Sequence, residues 1–352
     1  MKNQVAILIP AYNEELVIES TLSSAVALVG KNHVYVVNDG STDSTASCAK
    51  SYTPNILSIP NGGKANALNS GIRHFQLTDY YKYIFLMDAD TRIDPHFLQH
   101  ALPHLKSKAG KKLNGVVGKV CSLGVNWIGK FRIWEYEIAH SVHKRAQSNT
   151  NTILVLPGCA TLYRSRVFKK FFVPLGTLTE DMDFTFELNR QNQGNFVYEE
   201  RSLVITQDPR DLRSFLKQIK RWYIGFWQCV HKHHIPWGGQ NIDLEVALLA
   251  TEGLFNGFIS LALLFTVPMV LFVNPLILVV PFLFDLFLFF LPTLIWTAAT
   301  NRNLKLFFYL PHFYFLRLLL SLVFIYTFFV SLLKRPKSNS WTTERYSLTQ
   351  SN

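Results

Sequence analysis

Asp88-Ala89-Asp90 follows directly on the apolar run Tyr83-Ile84-Phe85-Leu86-Met87, where a buried strand would emerge into solvent. Two carboxylates at this spacing can give hard oxygen ligands to Mg²⁺ or Mn²⁺, and such an ion bridges diphosphate oxygens. Ala89 between them leaves room for close approach, although a solvated turn fits the triplet as well. Lys64, directly after Gly62-Gly63 at a helix start, can meet a phosphate or a nucleotide edge. It can equally be a solvated lysine at a helix terminus. Thr179-Glu180-Asp181-Met182-Asp183 leads into a helical stretch that runs to residue 191. Acidic residues there cap a helix and favour its dipole, and capping alone explains much of the cluster. A catalytic reading needs one of these carboxylates to face the site and take a proton from a hydroxyl nucleophile. Ahead of them, Gly158 in Leu156-Pro157-Gly158-Cys159-Ala160 offers a turn able to line a substrate channel.

From Leu212 the apolar residues fall at Phe215, Leu216, Ile219, Tyr223, Phe226 and Trp227, with Arg213, Lys217, Lys220 and Arg221 on other faces. That is helix periodicity, and a basic amphipathic helix suits a membrane–water interface. Arg221 and Trp222 are neighbours and point in different directions. One can meet a phosphate while the other offers a ring to a sugar or to lipid. A plain anchoring helix accounts for the spacing equally well.

The elements that must position these residues alternate. Apolar runs at 5–9, 33–37, 55–59 and 83–87 read as strands, and 14–28, 42–49 and 64–75 read as helices. Such alternation implies an α/β domain with a mostly parallel sheet covered on both faces. Ligands of such sheets gather at the carboxyl ends of the strands. Tyr12-Asn13-Glu14, Asp39-Gly40-Ser41 and Asp88-Ala89-Asp90 all fall at strand ends, which points to one shared site.

Composition divides the chain of 352 residues. Up to about residue 240 it reads as ordinary α/β protein, whereas 244–333 is dominated by Leu, Phe, Val and Ile. Runs of roughly twenty apolar residues match the hydrocarbon thickness of a bilayer. The net charge of +11 is concentrated beside that tract, at Arg210, Arg213, Lys217, Lys220 and Arg221 and again at Lys334, Arg335 and Lys337. Basic flanks mark cytoplasmic membrane edges and anionic lipid, so nucleic acid is not the expected partner. Cys48, Cys121, Cys159 and Cys229 are scattered without a Cys-x-x-Cys pair, which argues against a disulfide frame or a zinc site. Met1-Lys2-Asn3-Gln4 leads straight into a strand-like run with no secretory signal.

The succession Pro10-Ala11-Tyr12-Asn13-Glu14, Asn38-Asp39-Gly40-Ser41-Thr42-Asp43, Gly63-Lys64-Ala65-Asn66-Ala67-Leu68-Asn69, Asp88-Ala89-Asp90, Thr179-Glu180-Asp181 and Gln218-x-x-Arg221-Trp222 resembles the processive family 2 glycosyltransferases. That group includes hyaluronan, chitin, cellulose and poly-N-acetylglucosamine synthases. The resemblance implies a GT-A fold over 1–208, interfacial helices at 209–242, a membrane region of two to four segments at 243–333 and a cytosolic basic tail at 334–352. It also implies an inverting mechanism, a UDP-sugar donor and Mg²⁺ or Mn²⁺. By that likeness Asp181 is the catalytic base, with Glu180 its neighbour. Tyr12, Glu14, Asp39, Lys64, Asp88 and Arg221 hold the nucleotide sugar, and Asp88 and Asp90 hold the metal, Asp90 more directly. Gln218 and Trp222 support the acceptor.

The implied partners are a UDP-sugar, with N-acetylglucosamine the leaning, a polysaccharide or oligosaccharide acceptor and the lipid bilayer. A homo-oligomer or an accessory membrane subunit is a further expectation. The enzyme would be integral to the cytoplasmic membrane with its catalytic domain in the cytosol. Candidate spans lie near 247–273, 276–298 and 306–333. The last, containing Pro311, His312 and Arg317, is expected to be the weakest. Basic residues after it, and Trp341-x-Thr343-x-Arg345, which resembles a tail motif kept near the cytosolic site, favour an even number of crossings. Competing readings are a polyprenyl-phosphate monosaccharide synthase, which moves one sugar to a lipid phosphate, and a non-catalytic membrane sugar-binding subunit.

Overall fold

β1 (Val5–Ala11) is buried along its whole length, and its side chains alternate between two cores. Val5, Ile7 and Ile9 face one side of the sheet; Ala6 and Leu8 face the other. This two-sided burial follows from the period-two pleat of a strand with no polar positions. Each fully buried Val, Leu or Ile contributes about 1.5–3 kcal/mol relative to exposure. The computed structural model describes residues 2–333.

The chain continues through α1 (Ile18–Val29), β2 (Val34–Asp39), α2 (Thr45–Lys50), β3 (Asn55–Ile59), α3 (Lys64–His74), the single turn α4 (Leu77–Tyr80) and β4 (Tyr83–Leu86). Next come β5 (Thr91–Ile93), α5 (Phe97–Lys106) and β6 (Gly115–Ser122). The two cores are closed by α1 and α5 on one face and by α3 on the other. At Gly71 a β-carbon would lie 2.7 Å from Val37 Cγ2 and 2.8 Å from Leu8 Cδ1, so glycine lets α3 ride close on the sheet. α1 starts later than its apolar pattern suggests. Asn13 has a φ of 54°, and the Glu14 amide donates to Thr45 Oγ1 at 2.8 Å, so Asn13 and Glu14 form a turn at the sheet edge.

The sheet has the order β3-β2-β1-β4-β7-β6-β8-β5, with β7 at Thr161–Arg164 and β8 at Phe196–Thr206. The expected parallel half is present as β3-β2-β1-β4. The other half is mixed: β7 is antiparallel to β4 and β6, β8 is parallel to β6, and β5 is antiparallel to β8. The cause is the segment after β6. It forms α6 (Trp127–Glu137), a π-helical stretch at Ile138–Lys144 and α7 (Arg145–Thr150). A parallel neighbour needs a crossover that returns the chain to the starting end of the sheet. Here the chain re-enters at the carboxyl edge, where Thr161 pairs with Leu86, so β7 runs backwards.

α8 (Glu180–Arg190) precedes β8, and α9 (Leu212–Lys232) follows it, capped by Asp211, which accepts from the Ser214 amide at 2.8 Å. Then come α10 (Asn241–Val273), α11 (Val279–Asp285), α12 (Leu291–Thr300) and α13 (Leu310–Leu333). Three stretches, Asn241–Val273, Pro275–Thr300 and Leu304–Leu333, are long and apolar enough to cross a membrane. The expectation that the last is the broken one is corrected. α13 is continuous, because Pro311 lies in its first turn, where a missing N–H costs nothing. Arg317 is paired with Asp285 at 3.1 and 3.2 Å, and the Tyr314 hydroxyl donates to the same carboxylate at 2.6 Å. The interrupted stretch is the second, where a π-helical turn, Leu286–Phe290, separates α11 from α12. The basic tail at 334–352, with its Trp341-x-Thr343-x-Arg345 pattern, lies outside the described residues.

α8 is tied to the helices that follow. Arg190 bonds Asp243 on α10 at 2.5 and 2.8 Å and donates to the His233 carbonyl at 2.6 Å. Asp183 is fully buried and bound by Lys232 at 2.8 Å and His233 at 2.7 Å. Removing one partner of a buried pair leaves an uncompensated charge, a loss of about 3–5 kcal/mol. Arg190→Met therefore lowers the unfolding temperature of the detergent-solubilised protein, and Arg190→Met with Asp243→Leu recovers much of it. Equal melting of Arg190→Met and wild type would show that the pair does not hold α8.

Candidate active site

Lys64 is the meeting point of the carboxyl edge. It opens α3 behind the Gly62-Gly63 turn, and its Nζ lies 2.6 Å from Asp88 Oδ1 and 2.8 Å from Glu180 Oε1. One ammonium thus joins the start of α3, the end of β4 and the start of α8. Burial opposes its charge, but Asp88, Glu180 and Asp181 hold its pKa well above the ordinary lysine value. Gly158 lies against it: a β-carbon there would come within 2.7 Å of Lys64 Nζ. A side chain there would have to displace the Lys64 ammonium from its ion pairs.

The Gly62-Gly63 turn is itself held from below. Asp39 ends β2 fully buried, and its two oxygens accept from the Gly62 and Gly63 amides at 2.9 and 2.8 Å. Burial raises its pKa despite those bonds. Asn61 donates to the Asp39 carbonyl at 3.0 Å and completes the clasp.

Lys64, Asp88, Asp90, Glu180 and Asp181 line one cavity of about 830 Å³, together with Glu14, Gln218, Arg221 and Trp222. Tyr12 and Asp39 stand outside its lining, Asp39 one layer beneath it. Asp181 is recessed, and its pKa is pushed up to about 6, first by burial and then by the neighbouring Glu180 charge. Lys64 and the Met182 amide, which donates to Asp181 Oδ1 at 2.8 Å, act in the opposite sense. Asp183, two residues on, points away into its pocket of His233, Lys232 and Thr177. The helix start thus divides its acidic residues between the cavity and a structural anchor.

α9 supplies the far wall. Arg221 reaches the Leu178 carbonyl at 3.4 Å, on the loop that leads into α8. Gln218 accepts from Arg132 at 2.6 Å, and the Arg132 guanidinium lies 4.8 Å from the Trp222 ring. Arg132, Glu135, His140 and Lys144 also line the cavity, all from the α6–α7 segment that no motif brought forward. The signal was faint: a run of aromatic and charged residues, Phe131 to Glu137, without a clean helical stripe. Lys144 is buried, donates to the Val155 carbonyl at 2.8 Å, and is lowered to about 8 by burial. The cavity continues between the long apolar helices α10 and α13, past Glu252, Asn256 and Ser321.

Among the described residues no group of three or more His, Cys, Asp and Glu side chains could hold a metal ion alone. Asp88 and Asp90 are two hard oxygen donors on one turn facing one cavity. That set fits Mg²⁺ or Mn²⁺, which keeps waters and completes its shell on phosphate oxygens.

Residues 6–172 match the family model described as glycosyl transferase family 2. That match spans a little under half of the chain. A poly-beta-1,6-N-acetyl-D-glucosamine synthase of Staphylococcus epidermidis is 30% identical over 242 residues, 64% of this chain and 57% of that protein. The protein of the same name from Staphylococcus aureus strain COL is 30% identical over 229 residues, covering 63% and 54%. The chain thus matches little more than half the length of these relatives. Among solved structures, the mannosyltransferase PcManGT of Pyrobaculum calidifontis, in complex with GDP-Man and Mn²⁺, superposes with a TM-score of 0.61 at 18% identity. That superposition covers 86% of this chain and 87% of that one. The likeness is one of fold: the amino-terminal half is GT-A, as the motifs led us to expect.

Lys64 pairs with Asp88 and Glu180, and its charge also acts on Asp181. Lys64→Met should therefore raise the titration midpoint of Asp181 above the wild-type value, read by ¹³C NMR of the aspartate carboxyls. A midpoint unchanged or lowered would show that Lys64 does not govern that carboxyl.

Proposed function

We propose that this chain is a membrane-bound inverting glycosyltransferase. It moves a sugar from a UDP-sugar, UDP-N-acetylglucosamine by preference, onto a hydroxyl of a growing β-linked polysaccharide. The observation that carries this reading is the convergence of Lys64, Asp88, Asp90, Asp181 and Arg221 on one cavity that runs on towards α10 and α13. The staphylococcal relatives, named as poly-N-acetylglucosamine synthases, support the choice of sugar.

In this reading the diphosphate lies over the turn of Asp88 and Asp90, with Lys64 and Arg221 as cationic partners. Tyr12 and Glu14 flank the nucleoside end, and Asp39 acts by fixing the glycine turn beneath it. A Mg²⁺ or Mn²⁺ ion bound at Asp88 and Asp90 supplies positive charge to the leaving diphosphate. Asp181 accepts the proton of the acceptor hydroxyl as that oxygen attacks the anomeric carbon from the face opposite UDP. The bond from that carbon to the diphosphate oxygen breaks, and UDP departs with the electron pair. One displacement converts an α-linked donor into a β-glycoside. Glu180 keeps Lys64 in place, and its charge keeps Asp181 basic enough to take the proton.

The catalytic domain faces the cytosol in this proposal, consistent with Arg210, Arg213, Lys217 and Lys220 beside the first apolar stretch. If the crossings are even in number, the interrupted second stretch is the re-entrant one. Protease cleavage of the tail only from outside sealed vesicles would refute the even count. A second reading, single transfer to a polyprenyl phosphate, is favoured by the same opening between α10 and α13. A ladder of oligosaccharides excludes it, and a single lipid-linked sugar supports it.

Only ionised Asp181 can accept a proton, and its pKa stands at about 6. Turnover per acceptor (kcat/KM) is therefore flat above that pH and falls roughly tenfold per unit below it. Asp181→Asn cuts transfer by about 100- to 10,000-fold while UDP binding, measured by calorimetry, stays within severalfold. Equal loss of both would overturn the assignment. Chelation with EDTA stops nucleotide release from the UDP-sugar, and Mg²⁺ or Mn²⁺ restores it. Undiminished release in EDTA would rule out the metal.

A further inference from the structure

Arg132 belongs to no motif, yet its side chain is fully buried in the wall of the cavity. A guanidinium taken out of water is costly unless its donors and its faces are used. Nη2 donates to Gln218 Oε1 at 2.6 Å and Nη1 to Glu135 Oε2 at 2.5 Å. The plane lies 4.8 Å from the rings of both Trp222 and Phe215 and 5.4 Å from Tyr136. Desolvated arginine stacks strongly on such rings. One side chain on α6 therefore holds both Gln218 and Trp222 on α9.

The contact with Gln218 carries chemical information. A guanidinium can only donate, so the atom facing it must be the amide oxygen. The Gln218 nitrogen is then the end left to donate, as a saccharide hydroxyl or ring oxygen requires. α6 is also seated on the membrane helices. Trp134 stacks on Phe290 with centroids 5.0 Å apart and donates to Thr293 Oγ1 at 3.1 Å; Phe131 meets Phe313 at 5.6 Å.

We propose that Arg132 is a positioning residue of the acceptor subsite: it fixes the ring plane of Trp222 and turns the Gln218 amide to donate to the sugar. Through α6 it also sets that subsite relative to α12 and α13. This rests on the reading of Gln218 and Trp222 as acceptor-binding residues.

The test is a double-mutant cycle on the purified full chain in detergent, with UDP-N-acetylglucosamine and a β-linked oligosaccharide acceptor. R132Q raises the acceptor KM at least tenfold and leaves the Kd for UDP within twofold. W222L alone lowers kcat/KM for the acceptor by a similar factor, but added to R132Q it costs less than threefold more. The same W222L factor in both backgrounds overturns the proposal, as does parallel weakening of UDP and acceptor by R132Q. Should R132Q fail to fold, R132K keeps the charge without the fork and supplies the cycle, with the same two outcomes. Wild-type protein that releases no UDP from any UDP-sugar would instead sink the enzymatic reading itself. Active wild type with an additive cycle sinks only the role of Arg132.

Discussion

The ammonium of Lys64, held between Asp88 and Glu180, is the contact on which the cavity depends. Asp88, Glu180 and Asp181 crowd into one recess, and carboxylates brought this close resist sharing it without a positive partner. Lys64 supplies that charge and at the same time links three elements distant in sequence. Its position is set by two backbone devices. Asp39 clamps the turn before it, and Gly158 has no side chain to push it away. Charge balance and steric allowance are therefore one constraint here.

The α/β half and the apolar helices are packed together. Phe131, Phe215, Ile219, Phe290, Phe313 and Leu316 form a single buried cluster across α6, α9, the turn before α12 and α13. Ion pairs add to it: Arg190 with the buried Asp243 near the start of α10, and Arg317 with Asp285, both partly exposed, between the apolar stretches. A charge carried on an apolar helix persists when it is paired. Because the wall bearing Gln218, Arg221 and Trp222 is part of this packing, the helices help to set the shape of the cavity.

Several elements were legible because local chemistry decided them. The apolar runs of β1 and β4 could be little else than buried strands, and the Thr179-Glu180-Asp181 cluster did open a helix. Reading by pattern failed where a distant partner intervened. The start of α1 was displaced by Asn13 and Glu14, whose backbone is bound to Ser41 and Thr45 across the edge of the sheet. β7 runs against β4 because the helices before it return the chain to the carboxyl edge. Pro311 and Arg317 looked disruptive, but the first sits where a helix tolerates proline and the second has Asp285 as partner. For Asp39, which the family likeness assigns to the nucleotide, the sequence did not show that its two oxygens accept from the Gly62 and Gly63 amides.

Residue types and their order determined that this chain carries carboxylate pairs at strand ends, a basic aromatic helix and long apolar stretches, since these are properties of short segments. They also sufficed for the likeness to family 2 glycosyltransferases. Tertiary structure alone decided which carboxylate is recessed, that Asp183 faces away from Asp181, and that Arg132 and Lys144 belong to the cavity. Those outcomes depend on desolvation and on neighbours tens of residues away, and neither is encoded in the spacing of a motif.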